Sequence, residues 1–195
     1  MPDSSLRLLI IDQNVTRASI LEDGLREAGH SDVIVVRDMQ NLLKRIVEVE
    51  PDVIFIDLEN PNRDVLEQMF QVSRVVQRPI AMFVDKSDAG MTEKAVLAGV
   101  SAYVVDGLKK ERIKSILELT ISRFKAFNQL RDELDRTKQQ LEERKLLDRA
   151  KGILMKQKSI TEDEAYAQMR KAAMNENLKL ADVAQGVIAA AKLFK

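Results

Sequence analysis

Two groups of side chains in this 195-residue chain have the types and spacing to do chemistry. The first is acidic. Asp12 follows the apolar run at residues 6–11, and Asp57 follows the run at 53–56. Val84 and Asp106 stand at the ends of two further runs, 80–84 and 102–105. Carboxylates at neighbouring strand ends can hold Mg²⁺ between them, and one can accept a phosphoryl group. Asp also opens loops and caps helices, so spacing alone leaves both roles open. The second group is basic. Lys145, Arg149, Gly152 and Lys156 lie on a single stripe of one helix, and Arg144, Lys151 and Lys158 add charge nearby. Gly in a helix costs about 1 kcal/mol relative to Ala. Gly152 must therefore serve either a close approach by a phosphate backbone or base, or a tight helix–helix contact. Farther on, Arg170 and Lys171 follow an apolar face, and Tyr166 could stack on a base or fill a core.

The elements that must position these groups read as two kinds. In the first half, the continuous apolar runs 6–11, 33–36, 53–56, 80–84 and 102–105 suit strands buried on both faces of a parallel sheet. Between them, apolar residues recur at three- and four-residue spacing, as in Ile20, Leu21, Leu25 and Ala28. The alternation predicts an α/β fold with a five-stranded, doubly wound parallel sheet and a functional crevice at the carboxyl ends of its strands. From Lys109 no Gly or Pro occurs until Gly152, which predicts one helix of about 45 residues. Ile113, Thr120, Phe127, Leu134 and Leu141 are spaced by seven, with Leu117 and Phe124 as a companion seam. That seam predicts a coiled-coil homodimer through Leu117, Phe124, Phe127, Leu134 and Leu141. Ser159 and Thr161 end the helix. Thr161 to Glu164 fits a capping box, and two more amphipathic helices complete a three-helix module.

Composition excludes several functions. There is no Cys and a single His, His30. Disulfides, a zinc ribbon and a Cys nucleophile are ruled out, and a His-based zinc site and a Ser-His-Asp triad are disfavoured. No apolar run is long enough to span a bilayer and no signal peptide is evident, so the expectation is a soluble, cytoplasmic protein without a membrane partner. The zero net charge conceals a net −5 over residues 1–135 and +5 over 136–195. The basic part is the candidate for nucleic acid.

The wording of the two parts carries resemblances. Residues 6–123, with LLIIDQN, PDVIFIDLENPNRD, RPIAMFV and AGVSAYVVDGL, resemble a response-regulator receiver domain of flavodoxin-like fold. The resemblance makes Asp57 the phosphoacceptor-like residue and Asp12 with Asp57 a weak Mg²⁺ site, with no other cofactor or metal. It also exposes departures. Gln13 replaces a second acid, Val84 a hydroxyl, and Asp106 a Lys. Exchanging Lys for Asp shifts the local charge by two units, each worth about 4 kcal/mol at ~4 Å in an effective dielectric of ~20. The implied domain is a degenerate pocket on a pseudo-receiver with a vestigial Asp57, not an enzyme.

Residues 136–194, with ERKLLDRAKGILMKQKSITEDEAYAQMRKAAM followed by LADVA, resemble the ANTAR domain. The whole chain resembles the AmiR/NasT family of transcription antitermination regulators, and DLENPNRDVLEQ and SAYVVDGL are most similar to its nitrate-assimilation branch. The implied organisation is a pseudo-receiver at 1–123, a long helix at 109–150 and an ANTAR domain at 136–195. The implied function is binding of leader mRNA hairpins through Arg144, Lys145, Arg149, Lys151, Gly152, Lys156, Tyr166 and Arg170, preventing intrinsic termination. The implied partners are a second copy and a cytoplasmic nitrate/nitrite sensor. The alternatives are a phosphorylation-dependent regulator that binds DNA and a protein adaptor.

Overall fold

The computed structural model describes residues 6–39, 41–59, 61–87 and 90–193. The chain divides into two compact units, residues 1–128 and 129–195.

The first unit alternates strands and helices: β1 (Leu8–Ile11), α1 (Val15–Glu27), β2 (Val33–Val36), α2 (Leu42–Val49), β3 (Val53–Leu58), α3 (Arg63–Val75), β4 (Ile80–Val84), α4 (Met91–Leu97) and β5 (Ala102–Val105). The strands form one parallel sheet in the order β2-β1-β3-β4-β5. The order reverses between β1 and β3, and the ends of those strands carry Asp12 and Asp57. A reversal of this kind opens a crevice.

Side chains alternate across the sheet and feed two apolar layers. Leu9, Ile11, Ile54, Ile56, Met82 and Val84 pack under α2, α3 and α4. Leu8, Ile10, Val53, Phe55, Ala81 and Phe83 pack under α1 and the start of α5. Gly24 of α1 makes the second layer possible. A Cβ there would stand 2.8 Å from Ile113 Cγ1.

β3 extends two residues past its apolar run. Asp57 is therefore inside the strand, paired in register with Phe83 of β4. The ladder to β4 continues past the apolar residues, so the strand does too.

A 3-10 turn (Lys110–Arg112) leads into α5 (Ile113–Lys158), 46 residues without interruption. Its seven-residue seam changes character. Ile113, Leu117 and Thr120 are buried in the first unit. Phe127, Leu130, Leu134 and Leu141 are each more than half exposed. Leu117 thus belongs to the core beneath α1 and offers nothing to a partner. Phe124 is half-buried.

In the second unit the end of α5 packs with α6 (Glu162–Glu176) and α7 (Leu180–Leu193) around Ala150, Leu154, Ala165, Met169, Ala184 and Ile188. Ser159 ends α5 in the left-handed region at φ 53°. Thr161 then caps α6 in a capping box with Glu164. Asn175 and Glu176 are the last residues of α6, and the left-handed cap is Asn177.

Candidate functional site

Asp12, Gln13, Asn14, Asp57, Leu58, Glu59, Pro61, Asn62 and Val65 line a cleft of about 270 Å³ at the crevice. Its geometry follows from strand parity. Asp57 shares a face with Val53 and Phe55, the face that α1 covers. Asn14 caps α1, its side chain accepting hydrogen bonds from the Thr16 and Arg17 amides. Arg17 therefore sits in the first turn of α1, facing Asp57.

Arg17 grips that carboxylate with a fork. Its Nε donates to Asp57 Oδ2 at 2.8 Å and its Nη2 to Oδ1 at 2.7 Å, while Nη1 donates to Asp85 Oδ1 at 2.7 Å. Such bidentate charged pairs are among the strongest hydrogen bonds in proteins. The Asp57 side chain is fully buried and that of Arg17 is 19% exposed. Burial pushes the Asp57 carboxyl above its ordinary value while Arg17 pulls it back. The same contacts raise the guanidinium further above its usual range.

Asp12 has no such partner. Its Oδ1 accepts the Asn14 amide at 2.8 Å, and its buried Oδ2 has no hydrogen-bond partner among the described residues. Burial pushes this carboxyl up to about 6, with the Asn14 amide opposing.

Val84 and Asp106 do not line this cleft. Val84 has the other strand parity and is buried in the layer under α3 and α4. Asp106 is exposed beyond β5, in the left-handed region at φ 47°. The two-unit charge shift expected at Asp106 thus falls outside the residues that line this cleft. A cation that spacing alone did not single out, Arg17, binds the Asp57 carboxylate from beside the cleft, held in part by Asp85. The signal was available: an Asn cap at residue 14, an Arg three residues on, and an Asp of the parity that faces α1.

The second candidate is the basic face of the helical module. Gly152 lies opposite the Ala150 and Leu154 side of α5, and a Cβ there would meet nothing within 4 Å. Helix packing does not require this glycine. Arg149, Lys156 and Arg170 are exposed and have no ion-pair partner among the described residues. Lys145 reaches Glu142 at 2.8 Å from an exposed position, and Arg144 lies 4.0 Å from Asp148.

Lys151 differs from its neighbours. Its side chain is 16% exposed and its ammonium contacts Asp148 at 2.8 Å and Glu162 at 2.6 Å. It is a structural cation that fastens the start of α6 to α5, not the exposed charge its position suggested. Tyr166 is 42% exposed rather than in the core, one turn before Arg170 on α6.

Comparison with known proteins covers both parts. The response regulator receiver domain family matches residues 8–118, and the ANTAR domain family matches residues 135–188. The transcriptional regulatory protein PdtaR of Mycobacterium tuberculosis is 29% identical over 182 residues, covering 93% of this chain and 89% of that protein. A nitrate regulatory protein of Klebsiella oxytoca is 32% identical over 82 residues, covering 42% of this chain and 21% of that protein. Among solved structures, a CheY-like receiver domain protein from Methanospirillum hungatei superposes with TM-score 0.53 at 17% identity, over 63% of this chain and 99% of that one. A response regulator from Thermotoga maritima gives 0.50 at 16% identity, over 59% and 96%. These likenesses show the receiver fold. Similarity to protein-glutamate methylesterases spans about a third of those enzymes. It falls in the receiver part and brings no catalytic domain with it.

Proposed function

Because the chain belongs to the response-regulator receiver family and carries an ANTAR domain, as an antiterminator-type regulator of the AmiR/NasT kind, we propose that it binds hairpins in an mRNA leader through the outer face of its helical module. Binding favours read-through of an intrinsic terminator ahead of a nitrate or nitrite assimilation operon. The observation that carries this reading is a set of exposed cations without an ion-pair partner among the described residues: Arg149 and Lys156 flank an outward-facing Gly152 on α5 that no packing contact requires, and Arg170 stands on α6.

The chemistry suits RNA with an open loop. Lys and Arg contacts to phosphates give affinity that falls steeply with salt. Sequence-specific RNA recognition targets loop bases that can be splayed out and stacked on aromatic rings or guanidinium planes. Tyr166 and Arg170 offer both on adjacent turns of α6. At Gly152 a sugar-phosphate backbone can approach the helix backbone without meeting a side chain.

The protein acts as a homodimer through Phe127, Leu134 and Leu141, whose exposed apolar stripe needs a second surface to bury it. A cytoplasmic nitrate/nitrite sensor controls it, in place of regular phosphorylation at Asp57. The similarity to the Klebsiella nitrate regulatory protein supports the nitrate assignment. The engagement of Asp57 by Arg17 supports control by a partner protein.

The test is binding to a two-hairpin leader RNA at two salt concentrations, with loop-mutated RNA and promoter DNA as controls. Tight, loop-dependent, salt-sensitive binding is expected. Equal binding to a duplex lacking the loops would remove the loop recognition, and preference for the DNA would replace RNA as the target. Separately, the wild-type chain is incubated with acetyl phosphate and Mg²⁺ and its intact mass measured. No modification is expected, and stoichiometric modification at Asp57 would overturn the unphosphorylated reading.

A further inference from the structure

The receiver family implies a divalent cation held between acidic side chains at this crevice, and the donor set here does not fit one. Gln13 contributes no charge, and both oxygens of Asp57 already accept from one guanidinium. Among the described residues no group of three or more His, Cys, Asp or Glu side chains is arranged to hold a metal ion. The pocket is nevertheless charge-rich, with Asp12, Asp57, Glu59 and Asp85 on or beside it.

We propose that Arg17 is the resident counter-ion of this pocket, taking the position of a dissociable cation and so determining that Asp57 neither binds metal nor reacts. The inference rests on reading the receiver as unphosphorylated, and it names the residue responsible. Arg stays protonated throughout the working pH range, and it is covalently part of α1. Unlike a bound ion, it cannot be diluted away or exchanged. Its planar fork matches a carboxylate edge-on, which a Lys point charge would not do.

The geometry also gives Arg17 a positioning role. Its third contact, to Asp85, joins α1 to the connection that follows β4. That connection is held a second time, because Ser87 and the Tyr103 hydroxyl of β5 lie 3.1 Å apart in a hydrogen bond. Arg17 therefore fixes the chain after β4 by a permanent internal charge.

The probe is Mn²⁺, added to the full-length protein, with the unbound ion counted by its electron paramagnetic resonance signal. Arg17→Met keeps an apolar stem in place of the cation. The expected result is no saturable Mn²⁺ site in the wild type and a gain of at least about tenfold in affinity in Arg17→Met, lost again in the Arg17→Met/Asp57→Asn double variant. A wild type that binds Mn²⁺ as tightly as the variant, or a gain that survives Asp57→Asn, overturns the proposal.

If Arg17→Met does not fold, the wild type still decides. Its Arg17 Nε–H proton should exchange slowly with solvent, as a partly buried, charge-assisted donor does, and should exchange quickly in Asp57→Asn. Fast exchange in the wild type overturns the clamp. The acetyl phosphate assay fails or succeeds independently, so loss of the unphosphorylated reading is distinguishable from loss of Arg17 as its cause.

Discussion

The two charged regions of this protein solve opposite problems. In the receiver crevice, Arg17 is surrounded by acids and spends all three guanidinium nitrogens on Asp57 and Asp85. On the helical module, Arg149, Lys156 and Arg170 are exposed with no ion-pair partner among the described residues. A cation matched inside the fold has little left for a ligand, whereas an unmatched one keeps its full attraction for phosphate. The net −5 and +5 of the two parts hide this contrast, because the acidic part contains the best-held cation and the basic part contains a neutralised one, Lys151.

The largest expected effect tests the unmatched side. Arg149→Ala together with Lys156→Ala should lower affinity for the leader RNA by about 10- to 100-fold and flatten the log–log salt dependence by about 0.7–0.9 per lost contact. Circular dichroism should be unchanged, since both residues are exposed. Unaltered affinity in the folded double variant would place the RNA surface elsewhere.

Gly24 and Gly152, both inside helices, sharpen the comparison next. Gly24→Ala should destabilise the receiver by about 1–3 kcal/mol in denaturant titration, because its Cβ would overlap Ile113. Gly152→Ala should stabilise the helical module by up to about 1 kcal/mol, since a Cβ there meets nothing. It should nonetheless weaken RNA binding. Gly152→Ala with undiminished RNA affinity would remove the close-approach role.

On the exposed stripe of α5, Leu134→Asp should shift the dimer toward monomer in sedimentation equilibrium by at least about tenfold in dissociation constant, since it places a charge in an apolar seam. An unchanged equilibrium would move the dimer interface off this seam.

Asp12 provides a smaller, pH-dependent effect. Its carboxyl titrates near 6 in the folded protein against 3.8 ordinarily. The folded state therefore holds this proton more tightly than the unfolded chain. The penalty of the buried charge is fully present above pH 6 and disappears as the pH falls below about 4. Asp12→Asn should raise receiver stability at pH 7.5 by about 1–2 kcal/mol and by nothing near pH 4, as read in urea titrations at both. A pH-independent gain would assign the effect to shape and not to charge. The smallest change expected is in Lys151→Ala. It should cost less RNA affinity than Arg149→Ala and should lower the melting temperature slightly, because its charge already serves Asp148 and Glu162.

Much of this architecture was legible in the residues. Continuous apolar runs named all five strands, since a strand covered on both faces has no polar side to show. The capping box at Thr161 and the long helix without Gly or Pro were equally plain. The site was legible to different depths. Asp12 and Asp57 announced themselves by standing after apolar runs. Arg17 did not, because its meaning depends on which face of the sheet α1 covers. Leu117 and Leu134 looked alike in a seven-residue repeat, yet one is core and the other is solvent-facing.

Sequence by itself thus determined the element order, the parallel sheet, the paired acids at its crevice and the cation stripe. These follow from local periodicity and chain chemistry, which act over a few residues. The tertiary structure alone decided which charges are spent. Arg17 meets Asp57 across forty residues and Asp85 across sixty-eight, and Lys151 meets Glu162 across eleven. Pairing of that kind is set by strand order and helix packing, and it separates the cations that hold the fold from those left to meet a partner.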